Sequence, residues 1–120
     1  EEKVVKHPLR VNVGHKHRTV VDHRNGKPSE TRFMLMKQYP AAALVEAMPK
    51  TGRTHQVRVH AQALGHPLLG DILYGASESR VIARPALHAL GLTLTHPVTH
   101  ERLTFNAEYP QDFATALKLL

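Results

Sequence analysis

The spacing of apolar and polar positions changes several times along this chain, and each change predicts an element. Thr19-Val20-Val21 is β-branched throughout and reads as strand. Arg24-Asn25-Gly26-Lys27 follows, and its Asn-Gly pair is the strongest short-range hairpin signal. Thr31 to Lys37, reading TRFMLMK, is the next strand, and Tyr39-Pro40 ends it. Ala42 to Met48 (AALVEAM) fits either a strand or a helix by periodicity; its short length between turn signals favours a strand.

The period then becomes helical. Thr54 has the chemistry of an N-cap, and Val57, Ala61 and Leu64 recur at i, i+4 and i+7, one face of a helix. Gly65 suits the position just past a helix end, with Pro67 beyond it. Arg58 and His55 lie off the apolar stripe and are free to face a cleft. Leu87 to Thr95 (LHALGLTLT) alternates as a strand, with Leu90, Leu92 and Leu94 on one face. His96-Pro97 opens a turn, Leu103-Thr104-Phe105 is a short returning strand, and QDFATALKLL is a terminal helix with Gln111 or Asp112 near its cap. This order predicts an α+β fold, a largely antiparallel mixed sheet with a few flanking helices.

Composition narrows the class. The 120 residues amount to one domain or less, with 42% hydrophobic and 5% aromatic residues. A net charge of +6 points to a polyanionic partner, with plain solubility as the other reading of the same charge. There is no cysteine, which excludes disulfides and thiolate metal sites. No apolar run reaches the roughly 20 residues of a membrane span, and EEKVVKHPLR has no signal-peptide core. A cytoplasmic location and no membrane association are therefore expected.

The chemistry concentrates between Lys50 and Gly75. Gly52-Arg53-Thr54-His55-Gln56-Val57-Arg58-Val59-His60 sets two arginines, two histidines, a threonine and a glutamine at the start of the helix, and Leu64-Gly65-His66-Pro67-Leu68-Leu69-Gly70-Asp71 with Tyr74-Gly75 follows at once. A guanidinium such as Arg58 can hold a carboxylate or phosphate through two parallel bonds, or make only a weak surface pair. Helix N-termini favour anions, so Arg53 is read either as a backbone-phosphate contact or as a solvated loop charge. Asp71 is read as a structural turn residue accepting backbone N–H groups. His15-Lys16-His17-Arg18, with Arg24 and Lys27, is a second candidate phosphate-binding cluster, or a solvated hairpin. Ten histidines invite a metal, but neither His15/His17 nor His55/His60 has a useful ligand spacing, so no metal is expected.

KTGRTHQVRVH followed by LGHPLLGDILYG resembles the C-terminal half of the catalytic domain of RluA-type pseudouridine synthases. LHALGLTLTHP and LTFNAEYPQDF fit the same family's closing strands and helix, so the likeness runs from about Gly26 to Phe113. The resemblance implies an isomerase that converts uridine to pseudouridine in ribosomal or transfer RNA without a cofactor. It implies a catalytic aspartate in a motif like HRLDRDTSG, paired with a basic residue of the GRTHQ-type helix. No such motif occurs here; the aspartates are Asp22, Asp71 and Asp112. Residues 1–120 are accordingly expected to form one partial catalytic domain, the aspartate lying upstream. Arg58 is the expected catalytic partner of that aspartate, and Arg53, His55, Gln56, Lys16 and Arg18 are the expected RNA contacts. A catalytically inactive RNA-binding module is the alternative. Self-association through an exposed sheet edge is expected of so partial a domain.

Overall fold

The structure, a computed structural model, describes residues 2–88, 91–95, 102–106 and 109–120, with the backbone alone described for 91–95 and 102–106. Its elements are β1 (Glu2–Val5), β2 (Leu9–Val13), β3 (Arg18–Val21), β4 (Thr31–Gln38), β5 (Ala43–Pro49), α1 (Gln56–Ala63), a 3₁₀ turn (Ile72–Tyr74), β6 (Gly91–Thr95), β7 (Arg102–Asn106) and α2 (Gln111–Leu119). Every pairing among the described residues is antiparallel: a three-stranded sheet in the order β1-β4-β5 and the hairpins β2-β3 and β6-β7. The α+β expectation holds, and the strands at Thr31, Ala42 and Leu103 and both helices fall where the periodicity puts them.

Helix α1 lies between the three-stranded sheet and the β2-β3 hairpin, so it buries two faces. Ala61, with Val57 and Leu64, packs on Val5 and Phe33 of the sheet. Val59 packs on Leu9 of the hairpin and on Tyr74. The helix ends as its sequence predicts: Gly65, at φ 88°, donates to the Gln62 carbonyl and His66 to the Ala61 carbonyl, a Schellman arrangement that satisfies the last carbonyls.

Several details differ from the sequence reading. The residue capping α1 is His55, in the left-handed conformation at φ 55°, and not Thr54. The Asn-Gly pair does not join two paired strands. The Asp22 carboxylate accepts from the backbone N–H groups of Arg24 and Asn25, making an Asx turn that carries the chain to Lys27 beside Leu9. Gly26 is required there because a Cβ would lie 2.4 Å from the Asp22 carbonyl oxygen. The true tight hairpin joins β2 to β3, with Gly14 at φ 75° and His17 at φ 51° in its loop. Leu87 and His88 precede β6 rather than belonging to it. Leu90 and the His96-Pro97 turn lie outside the described residues.

Helix α2 is tied back by a bidentate pair, Arg84 to Asp112 at 2.8 and 3.1 Å. Tyr109 stacks on Phe113 at 5.0 Å between ring centres, with the His88 ring edge-on to Tyr109.

Candidate active-site wall and nucleic-acid interface

The loop from Thr51 to His55 brings the chain into α1, and its shape is set by one amide. Gln56 is buried, and its Oε1 accepts from the Thr51 hydroxyl (2.6 Å) and the Arg53 backbone N–H (3.1 Å). Its Nε2 donates to the Glu30 carbonyl (2.9 Å) and the Thr31 hydroxyl (3.0 Å). All four hydrogen-bonding positions of the side chain are therefore used. Gln56, expected as an RNA contact, is instead the bracket that fixes the loop to the start of β4.

The same network passes on to His60, which is fully buried. Its Nε2–H donates to the His7 carbonyl at 2.9 Å, so its Nδ1 accepts the Thr31 hydroxyl proton at 2.8 Å. Burial pushes the His60 pKa below its ordinary value, and the imidazole is neutral.

Tyr74 is the second organising residue. Only 2% exposed, it receives the Thr19 backbone N–H on its hydroxyl at 2.9 Å and shares a 2.8 Å hydrogen bond with His55 Nδ1. Desolvation first, and the nearby Arg58 cation second, lower the His55 pKa. Both effects favour neutral His55, which shares a single hydrogen bond with the Tyr74 hydroxyl. The Thr19 hydroxyl donates to the Thr54 carbonyl at 2.7 Å, holding the loop from the other side. Arginines flank the Tyr74 ring, the Arg58 guanidinium 4.9 Å and that of Arg18 5.9 Å from its centre, within cation–π range.

Arg58, expected to face an aspartate outside the chain, meets one inside it. Its Nε and Nη2 donate to the two oxygens of Asp71 at 2.9 and 2.8 Å, a fork-on-fork pair. The Asp71 side chain is 0% exposed and that of Arg58 17%. Bonding to Asp71 is the main cause raising the Arg58 pKa, so the cation is locked on. The Asx-turn reading of Asp71 is corrected accordingly: its carboxylate takes the guanidinium, while its backbone carbonyl accepts from Tyr74 and Ala76.

The two arginines of the motif are thereby separated. Arg58 is neutralised by a carboxylate; among the described residues Arg53 is held only by a neutral group, its Nε and Nη2 donating to the Pro28 carbonyl at 3.2 and 2.8 Å. Arg53 therefore keeps its full positive charge at the mouth of the loop. Lys16 is exposed at the tip of the β2-β3 hairpin. Arg18, from the same hairpin, stays exposed and reaches across to donate from Nη2 to the Leu73 carbonyl. Sequence reasoning brings Arg53, His55, Gln56 and Arg58 together correctly, but gives Tyr74, Thr19 and Asp71 no part in the arrangement. The signal available for Tyr74 and Asp71 was the GD-x-x-YG run, read only as a turn; Thr19, in RTVV, carried none.

Residues 1–63 match the family model described as RNA pseudouridylate synthase. The chain belongs to that family. It is 38% identical over 119 residues to ribosomal large subunit pseudouridine synthase D of Zymomonas mobilis, covering 92% of this chain and 38% of that protein. It is 46% identical over 85 residues to the dual-specificity RNA pseudouridine synthase RluA of Haemophilus influenzae, covering 69% and 39%. Among solved structures, human RNA pseudouridylate synthase domain containing 1 superposes with a TM-score of 0.72 at 32% identity, covering 91% of this chain and 49% of that one. Thus the chain spans about two fifths of these curated synthases and about half of the solved one. The pseudouridine synthase fold of this family member is that of its solved neighbour.

Proposed function

We propose that this chain forms one wall of the active site of an RNA pseudouridine synthase, isomerising uridine to pseudouridine without a cofactor. The observation that carries the reading is the Thr51–His55 loop, fixed from several sides by Gln56, Thr19 and Tyr74 so that an uncompensated guanidinium, Arg53, stands at its mouth. A preorganised cation is the kind of group that holds an anion in place through a reaction. Here the anion is a backbone phosphate of the RNA or the carboxylate of an aspartate supplied from outside these residues. Detaching and rejoining the base requires the target uridine to leave its stack. The names of the relatives favour ribosomal RNA, and the family resemblance keeps transfer RNA as the other candidate substrate. A cytoplasmic site of action goes with such substrates. The outer edges of β1 and β5 offer a place for strand pairing with a second copy, which light scattering on the purified protein would detect.

The reading is tested by tritium release from RNA labelled at C5 of uridine, because forming the new bond at C5 must free that hydrogen. The full-length protein should release tritium. Arg53→Ala should lower the rate at least about tenfold, a ground-state or transition-state loss of about 1.4 kcal/mol. Full activity of Arg53→Ala would remove the role given to that guanidinium. No release by the unmodified protein, with salt-sensitive RNA binding intact, would favour the inactive RNA-binding module.

A further inference from the structure

A shallow hollow of about 290 Å³ opens beside the Arg53 loop, lined by Lys6, Pro28, Ser29, Glu30, Lys50 and Thr51. Two separate stretches of chain bring cations to its lining, Lys6 just after β1 and Lys50 just after β5, and Arg53, ahead of α1, binds the carbonyl of the lining residue Pro28. One carboxylate sits between the lysines. Glu30 Oε1 lies 3.8 Å from Lys6 Nζ, and its Oε2 lies 3.3 Å from Lys50 Nζ. Glu30 itself is anchored through its backbone, its N–H donating to the Thr51 hydroxyl and its carbonyl accepting from Gln56. The lysine side chains are 73% and 62% exposed and Glu30 only 24%. A single recessed carboxylate thus holds two ammonium groups apart at the rim, and with Arg53 the hollow keeps an excess of positive charge. No acidic substrate group need displace Glu30 to reach them.

We infer that this hollow is a phosphate subsite for the RNA strand, seating a phosphodiester next to the nucleotide held at the Arg53 loop. The inference rests on the RNA-modifying reading above and adds to it the path the strand takes. Among the described residues the lysines share one carboxylate partner, Glu30, and such exposed pairs contribute little to stability. Two lysines converging on a hollow that holds a single carboxylate leave a net positive charge, which suits a phosphate; lysines bind phosphate as point charges.

The test uses the full-length protein, a uridine-containing RNA hairpin, and binding curves from 50 to 300 mM KCl. Each phosphate contact contributes about 0.7–0.9 to the slope of log affinity against log salt. Replacing both Lys6 and Lys50 by Ala should lower that slope by about 0.7–0.9, the share of one phosphate, while Lys37→Ala, at the far end of β4, should leave it unchanged. Glu30→Gln should tighten binding about twofold at 100 mM salt, since it removes a like charge beside the phosphate that salt screens only in part. An unchanged slope in the double variant, with its folding confirmed by circular dichroism, would overturn the subsite. So would an equal loss of slope in Lys37→Ala. Tritium release is read on the same samples. Turnover without a slope change sinks the subsite alone; a slope change without turnover sustains the subsite and sinks the catalytic reading.

Discussion

Replacing Asp71 by Asn should be among the most damaging single changes in this protein, although it swaps groups of nearly equal size. Asp71 is completely buried and Arg58 is 17% exposed, so the change strands a guanidinium with little water to solvate it. Breaking a buried pair by removing one partner costs about 3–5 kcal/mol. The lower end applies here, because Asn keeps one acceptor oxygen for Nε or Nη2 and the guanidinium still lies over the Tyr74 ring, 4.9 Å from its centre. A loss of about 3 kcal/mol, divided by a urea dependence of about 1.5 kcal/mol per molar, moves the unfolding midpoint down by about 2 M. Arg58→Gln alone should cost a similar amount. The double variant should cost much less than the two together, leaving a coupling of about 2 kcal/mol or more. Urea titrations of the four proteins provide the cycle. Strict additivity, or an Asp71→Asn loss below about 1 kcal/mol, would refute the claim that the pair is mutually dependent.

Three other outcomes follow from the same geometry. Gln56→Leu leaves the Thr51 hydroxyl proton and the Arg53 N–H without their acceptor, and the Glu30 carbonyl with only the Lys50 N–H, and should cost about 2–4 kcal/mol; a midpoint within experimental error of the parent protein would contradict the four-bond bracket. Stability should be level above about pH 7 and fall as pH drops through 6.5 and below: His60 and His55 have lowered folded pKa values, so below 6.5 the unfolded chain binds protons that the folded one refuses. A midpoint that does not change from pH 7.5 to 5 would exclude this. Gly70→Ala, at φ 76° with its new Cβ 2.3 Å from the Arg84 carbonyl oxygen, should displace the Arg84 segment and speed hydrogen exchange in α2, which Arg84 holds. Unchanged α2 exchange would mean that the helix is docked without Arg84.

What was legible in the sequence was what is local. The 3.6-residue recurrence of Val57, Ala61 and Leu64 marks the face of α1 that meets the sheet, and Gly65 marks its end, because both signals lie within a few residues of the structure they report. The second buried face of α1, carrying Val59, could not be read the same way: it exists only because the hairpin arrives from the other side. β1 and β2 have no clear signature because EKVV and LRVNV are short, are separated only by Lys6-His7-Pro8, and leave most of their side chains exposed. The pairing of Arg58 with Asp71 was missed because resemblance directed Arg58 toward a different aspartate, and a 13-residue separation has no periodic signature. The Asn-Gly signal misled because Asp22, three residues ahead of Asn25, captures the N–H groups that a two-residue hairpin would need.

The Tyr74 hydroxyl joins Thr19 to His55, and its bond to Thr19 spans 55 residues of chain. Closing a loop costs entropy that grows with the logarithm of its length. The β2-β3 and β4-β5 hairpins and α1 close over much shorter spans, so they are cheap to form early, whereas the tyrosine bond requires all of them to be in position first. The feature that shapes the Arg53 loop is therefore also a checkpoint on assembly: a nascent chain gains a working wall only after residues as far along as Tyr74 have been made and have docked.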